Sequence, residues 1–250
     1  MEKRIEKPNL TLQNEGENGF LIIRGGKTAG RVKLTENAFH SAHCNVLLPN
    51  GAAELSAGDA PELFRLISEY AGKSLKMMFS SDDAELAAFA AAGGFRRARR
   101  CFEAEVTRDE LNNKADPGLP SISMCTEGCA EFGECCGLVY RHYGSTHEAV
   151  SPLTADEASF FAALPKKAFY YEAGGRITNV ALIEGNEIAY IAAEGEGFES
   201  AEQFARSVCE RLFSEFEKII FECDDCDPAA MALFGLFDLP EEPSWDTWIC

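Results

Sequence analysis

The sequence predicts an α/β (α+β) protein made of two similar domains in tandem, each a mixed, mostly antiparallel sheet flanked by helices. Three observations carry this. Residues 76–83 (KMMFSSDD) and 218–225 (KIIFECDD) repeat one phrase, with Lys, Phe and both Asp in register. Each copy runs into an Ala/Phe-rich helix, at 84–92 and 229–237, and then into a strand, at 100–106 and 245–250. A strand–helix–strand unit that recurs at so long a spacing marks duplicated domains and not a solenoid of short period. Residues 107–121 (TRDELNNKADPGLPS) are polar and broken by Pro117, Gly118 and Pro120, the composition of a linker. The expected division is 1–107, a linker at 108–122, and 123–250.

In chain order, residues 20–24 (FLIIR) and 31–34 read as strands around a Gly25-Gly26 turn. Residues 43–48 (HCNVLL) form a third strand, ended by Pro49-Asn50-Gly51. Residues 61–70 begin with Pro and place Leu63, Leu66, Ile67 and Tyr70 on one helical stripe, which stops at Gly72. The repeated strand, helix and closing strand follow. In the second half, 131–143 and 154–164 read as helices, the latter capped by Thr154 with Glu157 completing a capping box. Residues 167–171, 178–183 and 187–192 are three strands joined by glycine-rich turns. Residues 200–216 carry Phe204, Val208, Leu212 and Phe216 at four-residue spacing, a buried helical face. Then comes an inner strand at 218–223, Asp227-Pro228 as a helix start, and a last strand anchored by Trp245 and Trp248.

Composition narrows the function classes. The chain has 250 residues, ordinary apolar content and no apolar run of membrane-spanning length. Residues 1–10 are too polar for a signal peptide, so its ten Cys read as reduced thiols in a cytoplasm. A net charge of −18 argues against nucleic acid or an anionic membrane as partner. The first 107 residues carry 14 basic and 14 acidic side chains, so the whole excess lies in the second half. That half is either a solvated acidic surface or a cleft that attracts cations.

The second-half order (helix pair, three-strand meander, helix, strand, helix, closing strand) resembles the layout of the GNAT acyltransferases. Asp227, Ala230, Leu233-Phe234 and Asp238-Leu239 stand where that family's C-terminal motif falls. Asp83, Leu86, Phe89-Ala90 and Gly94-Phe95 stand there in the first half. The resemblance covers most of 167–250 and, without the opening helix pair, 20–106. It implies two GNAT-like domains in tandem, the first truncated.

The resemblance implies transfer of an acetyl or other acyl group from acyl-CoA, with acetyl-CoA as donor, to a small-molecule amine. A cationic amine would suit the acidic half, and no metal is expected. The fourth strand of such folds splays from the fifth and bonds pantetheine through its backbone; here that implicates Ile191 and Ala192. The following loop and helix start would hold the pyrophosphate through Glu196, Gly197, Phe198, Glu199, Ser200 and Ala201, with Asp227 and Phe234 completing the cofactor site. The loop departs from the family pattern: acidic Glu196 and Glu199 replace basic and small residues. The Tyr that protonates the leaving thiolate in many relatives is replaced by Phe234, and by Ala90 in the first half, and neither can donate a proton. A GNAT-fold ligand-binding or regulatory protein without catalysis is therefore the alternative.

Candidate catalytic groups are Tyr190, Glu187 and Glu184, with Glu172 also at a strand end. A carboxylate there can take a proton, and Tyr190 can orient a water or the substrate. Solvated strand ends and a packed Tyr explain the same residues. Cys125, Cys129, Cys135 and Cys136 lack the paired spacing of zinc knuckles, and Cys223-x-x-Cys226 has no second pair or His nearby. His40 and His43 read as structural. Arg96, Arg97, Arg99 and Arg100 form a basic cluster suited to a 3′-phosphate, to pairing with the acidic second domain, or to plain surface charge on an emerging strand.

Overall fold

Tight glycine turns fold the strands into hairpins: Gly25-Gly26 and Gly174-Gly175 all sit at positive φ, between 57° and 79°. Two successive positive-φ residues match the right-handed twist of the strands they join. The computed structural model describes residues 10–49, 51, 55–112, 120–194, 198–241 and 243–250. Its elements begin with β1 (Leu10–Asn14), β2 (Gly19–Arg24), β3 (Lys27–Thr35), β4 (His43–Leu47), α1 (Ala60–Ala71), β5 (Ser74–Ser80), α2 (Ala84–Ala92) and β6 (Arg96–Thr107). They continue with β7 (Ser123–Thr126), α3 (Ala130–His147), α4 (Glu157–Ala163), β8 (Lys167–Ala173), β9 (Arg176–Glu184) and β10 (Glu187–Ala193). The last are α5 (Phe198–Phe213), β11 (Lys218–Asp224), α6 (Pro228–Phe234) and β12 (Ser244–Ile249). None of the helices among the described residues is long and apolar enough to cross a membrane.

One compact unit comprises residues up to Arg99 together with Trp245–Cys250. Its strand order is β1-β2-β3-β4-β5-β12. Only β4 and β5 are parallel; the other pairs in this order are antiparallel. Leu63, Phe64 and Ile67 of α1 and Leu86 and Phe89 of α2 cover Leu75, Met77 and Phe79 of β5. Each such side chain, fully buried, contributes about 1.5–3 kcal/mol. Alternation puts Leu47, Met78 and Trp245 on the other side of this sheet, where all three are exposed. Trp245 is thus no packing anchor, whereas Trp248 stacks on Phe79 with ring centroids 5.8 Å apart.

The other unit, Arg100–Ser244, repeats the pattern. Its order is β7-β8-β9-β10-β11-β6, with β10 and β11 the parallel pair. Phe204, Val208 and Leu212 of α5 pack into one core with Phe169, Ile183, Ile188, Ile219 and Phe221. Helices α3 and α4 take the opposite side. Among the described residues the first unit has no counterpart of them, and its β1 passes to β2 through residues 15–18.

The closing strands differ from expectation. Residues 100–106 and 245–250 read as the last strands of their own halves. Instead β6 pairs with β11, from Cys101↔Asp224 to Thr107↔Lys218, and β12 pairs with β5, from Trp245↔Ser80 to Ile249↔Lys76. The two copies exchange their final strands. A strand's alternation fixes which face it buries but not which edge it joins. The start of the expected linker is also structured: Thr107 and Glu110 form a capping box around the 3₁₀ turn Arg108–Glu110, and Arg206 holds Asn112 O at 2.9 Å. Residues 113–119 lie outside the described residues.

Smaller corrections follow the same logic. Strands β1 and β7 were not expected, because their sequences LTLQN and SMCT are short and half polar; edge pairing with β2 and β8 creates them. Helix α4 is capped by Asp156, whose carboxylate accepts from Ser159 N, and not by Thr154. Helix α6 stops at Phe234, short of the expected 237. The arginine cluster divides: Arg97 lies 3.8 Å from Asp246, Arg99 donates to the Thr247 hydroxyl, and Arg100 N donates to Asp225 Oδ1.

Candidate active site

The second unit contains a wedge between β10 and β11, and its cause is local. The β9–β10 register shifts between Ile188 and Tyr190, so Ala189 is an extra residue that bends β10. The parallel ladder consists of Glu187↔Ile220 and Ile188↔Phe221 and goes no further. Both strands continue on their outer partners, β10 to Ala193↔Asn179 on β9 and β11 to Asp224↔Cys101 on β6. Beyond Ile188 and Phe221 the facing edges therefore have no strand between them. Extended backbone in that condition can take a ligand as an added strand.

Helix α3 spans the mouth of this wedge. Arg141 Nη2 lies 2.9 Å from Glu194 Oε1, just past the end of β10, and Glu194 also takes Arg176. The next residue, His142, places Nε2 2.9 Å from Asp227 Oδ1, just past the end of β11. Tyr143, the residue after that, meets the Tyr190 ring edge-on at 5.9 Å and stacks on His147, one turn on, at 4.0 Å. His147 is 2% exposed, with Nε2 2.8 Å from Asp224 Oδ2 and Nδ1 within 3.1 Å of both the Tyr143 carbonyl and the Thr146 hydroxyl. Asp227 Oδ1 also accepts from Ala229 N and Ala230 N, the first free N–H groups of α6.

The sequence-predicted residues separate. Tyr190, Ile191 and Ala192 are the strand residues past the split, with Tyr190 on the α3 side and Ile191 in the α5 core. Burial, then the Glu187 and Glu222 carboxylates, push the Tyr190 phenol above its ordinary range, which keeps it a neutral hydroxyl. Glu187 sits within the ladder, across from Glu184 at the closed end of the hairpin. Ala201 is buried in α5. Phe234 is taken up in packing, its ring 4.7 Å from that of Phe102. Glu196 and Gly197 lie outside the described residues; Phe198, Glu199 and Ser200 form the first turn of α5.

On the strands beside Tyr190, Glu222 of β11 stands directly opposite Glu103 of β6, and Glu105 is paired with Lys218. Like charges in register cost stability unless a cation lies near. Sequence reasoning missed His142, Tyr143, His147 and Asp224. The available signal was HYGSTH at 142–147, two His at and beyond the end of the helix expected over 131–143.

The first unit has its own wedge. The β4–β5 ladder ends at Asn45↔Lys76, and beyond it opens a cavity of about 270 Å³ lined by Val46, Leu48, Met77, Phe79, Asp83 and Trp245. Asp83 there accepts from Leu86 N and caps α2, as Asp227 caps α6. His43 Nδ1 lies 2.7 Å from the Ser74 hydroxyl. Cys125 and Cys135 place their sulfurs 3.9 Å apart, and burial pushes both thiols up. Among the described residues no three His, Cys, Asp or Glu side chains gather as a metal ion requires.

No family model matches the chain, and no curated protein matches it. Solved structures do. A GCN5-related N-acetyltransferase from Kribbella flavida is 12% identical, with a TM-score of 0.50, over 96% of this chain and 89% of that one. A tandem GNAT protein from the clavulanic acid biosynthesis pathway is 15% identical, with a TM-score of 0.49, over 99% and 85%. A GCN5-related N-acetyltransferase from Sphaerobacter thermophilus is 11% identical, with a TM-score of 0.48, over 95% and 82%. At these identities the likeness concerns the fold. The chain has the GCN5-related N-acetyltransferase (GNAT) fold twice in tandem, the first copy without the helix pair that precedes the meander of the second.

Proposed function

We propose that this protein is an acyl-CoA-dependent N-acyltransferase that moves an acetyl group from acetyl-CoA to a small-molecule amine. The observation that carries the reading is the β10–β11 wedge, whose parallel ladder ends after Ile188↔Phe221 while both strands continue. Backbone groups of Tyr190, Ile191 and Ala192 on the wedge side suit the amides of a pantetheine arm. The start of α5, with Ala201 one turn in, would receive the pyrophosphate through backbone N–H groups. Acetyl-CoA would supply the activated thioester. The carboxylates of Glu187, Glu222 and Glu103 favour a cationic amine as acceptor. Ten free thiols fit a reducing cytoplasm.

Calorimetric titration of the full chain with acetyl-CoA tests this, repeated with Tyr190→Pro. Micromolar binding that the folded variant loses supports the second-unit wedge as the site. Binding that the variant keeps moves it to the first-unit wedge. No binding at millimolar acetyl-CoA ends the enzyme reading. A ligand-binding protein without turnover is favoured by one observation, the Phe234 ring packed on Phe102 where many relatives carry a proton donor. Acetyl-CoA binding without thiol release against a panel of primary amines would select it.

A further inference from the structure

We propose that His142 is the proton acceptor of the reaction and Asp227 its positioning residue. This rests on the acyl-transfer reading for the second unit. Two histidines on α3 face carboxylates, and only one of them has a nitrogen to spare. His147 has partners at both ring nitrogens and is 2% exposed. His142 engages Asp227 through Nε2 at 2.9 Å, its side chain is 13% exposed, and Nδ1 has no hydrogen-bond partner among the described residues. The Asp227 carboxylate is itself fixed by Ala229 N and Ala230 N, so it holds the imidazole at one orientation and stabilises the charge that a gained proton brings.

Placement supports the role as much as the pairing does. Arg141 and His142 reach the ends of the two splayed strands, so the imidazole lies across the mouth of the wedge. Near it stand Glu194 at the end of β10, already bonded by Arg141 and Arg176, and Asp224 of β11, bonded by His147. Tyr143 lies between His147 and Tyr190, and Glu187 and Glu222 lie on the Tyr190 side. Glu187 and Glu184, the carboxylates expected from sequence, sit at the closed end of the hairpin. In the step itself the amine nitrogen bonds the acyl carbon and the carbon–sulfur bond breaks, its electron pair leaving with sulfur. The surplus N–H proton passes to His142 Nδ1 and then to the departing thiolate.

The test uses the full chain and diethyl pyrocarbonate, which modifies accessible neutral imidazoles, with sites mapped by mass spectrometry. His142 should be modified and His147 spared, and saturating acetyl-CoA should slow His142 modification by about tenfold or more. His142→Gln should keep acetyl-CoA affinity within about threefold, while thiol release with primary amines falls by ~10²–10⁴, the range of a lost general base, and loses its acidic limb. Acetyl-CoA that binds without shielding His142, or a His142→Gln variant with unchanged turnover and pH profile, overturns the proposal and leaves the transfer reading intact. An absence of acetyl-CoA binding overturns the reading and the His142 role together.

Discussion

Phe102, on the strand that closes the first copy in sequence, packs its ring 4.7 Å from Phe234 at the end of α6 in the second unit. The exchanged strand therefore supplies a wall to the helix at the candidate site. Phe102→Ala should cost about 3–4 kcal/mol. A double-mutant cycle with Phe234→Ala should show coupling of about 0.5–1.5 kcal/mol. Urea midpoints at constant slope measure both, and additive losses would mean that the rings pack independently.

Asp227 caps α6 and holds His142 with one oxygen. Asp227→Ala should destabilise the protein by about 1–3 kcal/mol, summing a lost cap and a stranded imidazole. Asp227→Asn keeps an acceptor for the cap and should lose less. Thermal melts of the two variants rank them.

Trp248 stacks on Phe79 of β5, and its buried indole Nε1 has no hydrogen-bond partner among the described residues. Trp248→Phe keeps the ring and deletes an unsatisfied donor, so its stability should stay within about 1 kcal/mol of the native protein. Trp248→Ala should cost about 3 kcal/mol. Equal losses in the two variants would show that the indole N–H has a partner in solution.

Acid sensitivity of the first unit should trace in part to Asp59. Burial pushes this carboxyl up, but the Ser56 hydroxyl and N–H and the Arg24 guanidinium, all bonded to Oδ2 at 2.7 Å, bring it below its ordinary value. A lowered folded value means stability that is present above the unfolded pKa of about 3.9 and is lost as pH falls through the folded value. Between pH 7 and pH 3 the native protein should lose more stability than Asp59→Asn, as read from urea midpoints at each pH.

Thiol reactivity should follow burial. Of the ten Cys, Cys129 and Cys250 are exposed, while burial pushes the thiols of Cys209 and Cys223 well up. Ellman titration of the folded protein should show Cys129 reacting fast, Cys250 next, and Cys209 and Cys223 only on unfolding. Rapid labelling of Cys209 would contradict the α5 packing.

Much of the fold was legible because it is written in local chemistry. The period of Phe204, Val208 and Leu212, the Asp-Pro start of α6 and the glycine turns each act within a few residues. Strands β1 and β7 were not legible, since half-polar segments become strands by pairing along an edge. Of the site, Tyr190, Ile191 and Ala192 could be expected from the order of the meander and its following helix. His142 could not, because the helix alone does not say which strand ends it will reach.

The sequence by itself determined the duplicated phrase, the helix starts, the turn positions and the acidic bias of the second half, all of which depend on neighbours in the chain. The tertiary structure alone decided the exchange of β6 and β12, the bulge that opens β10 from β11, and the His142–Asp227 bond across the resulting mouth. The strand exchange and the His142–Asp227 bond join residues some 85 to 173 positions apart. They are selected by the edge, face and register on which the whole sheet closes.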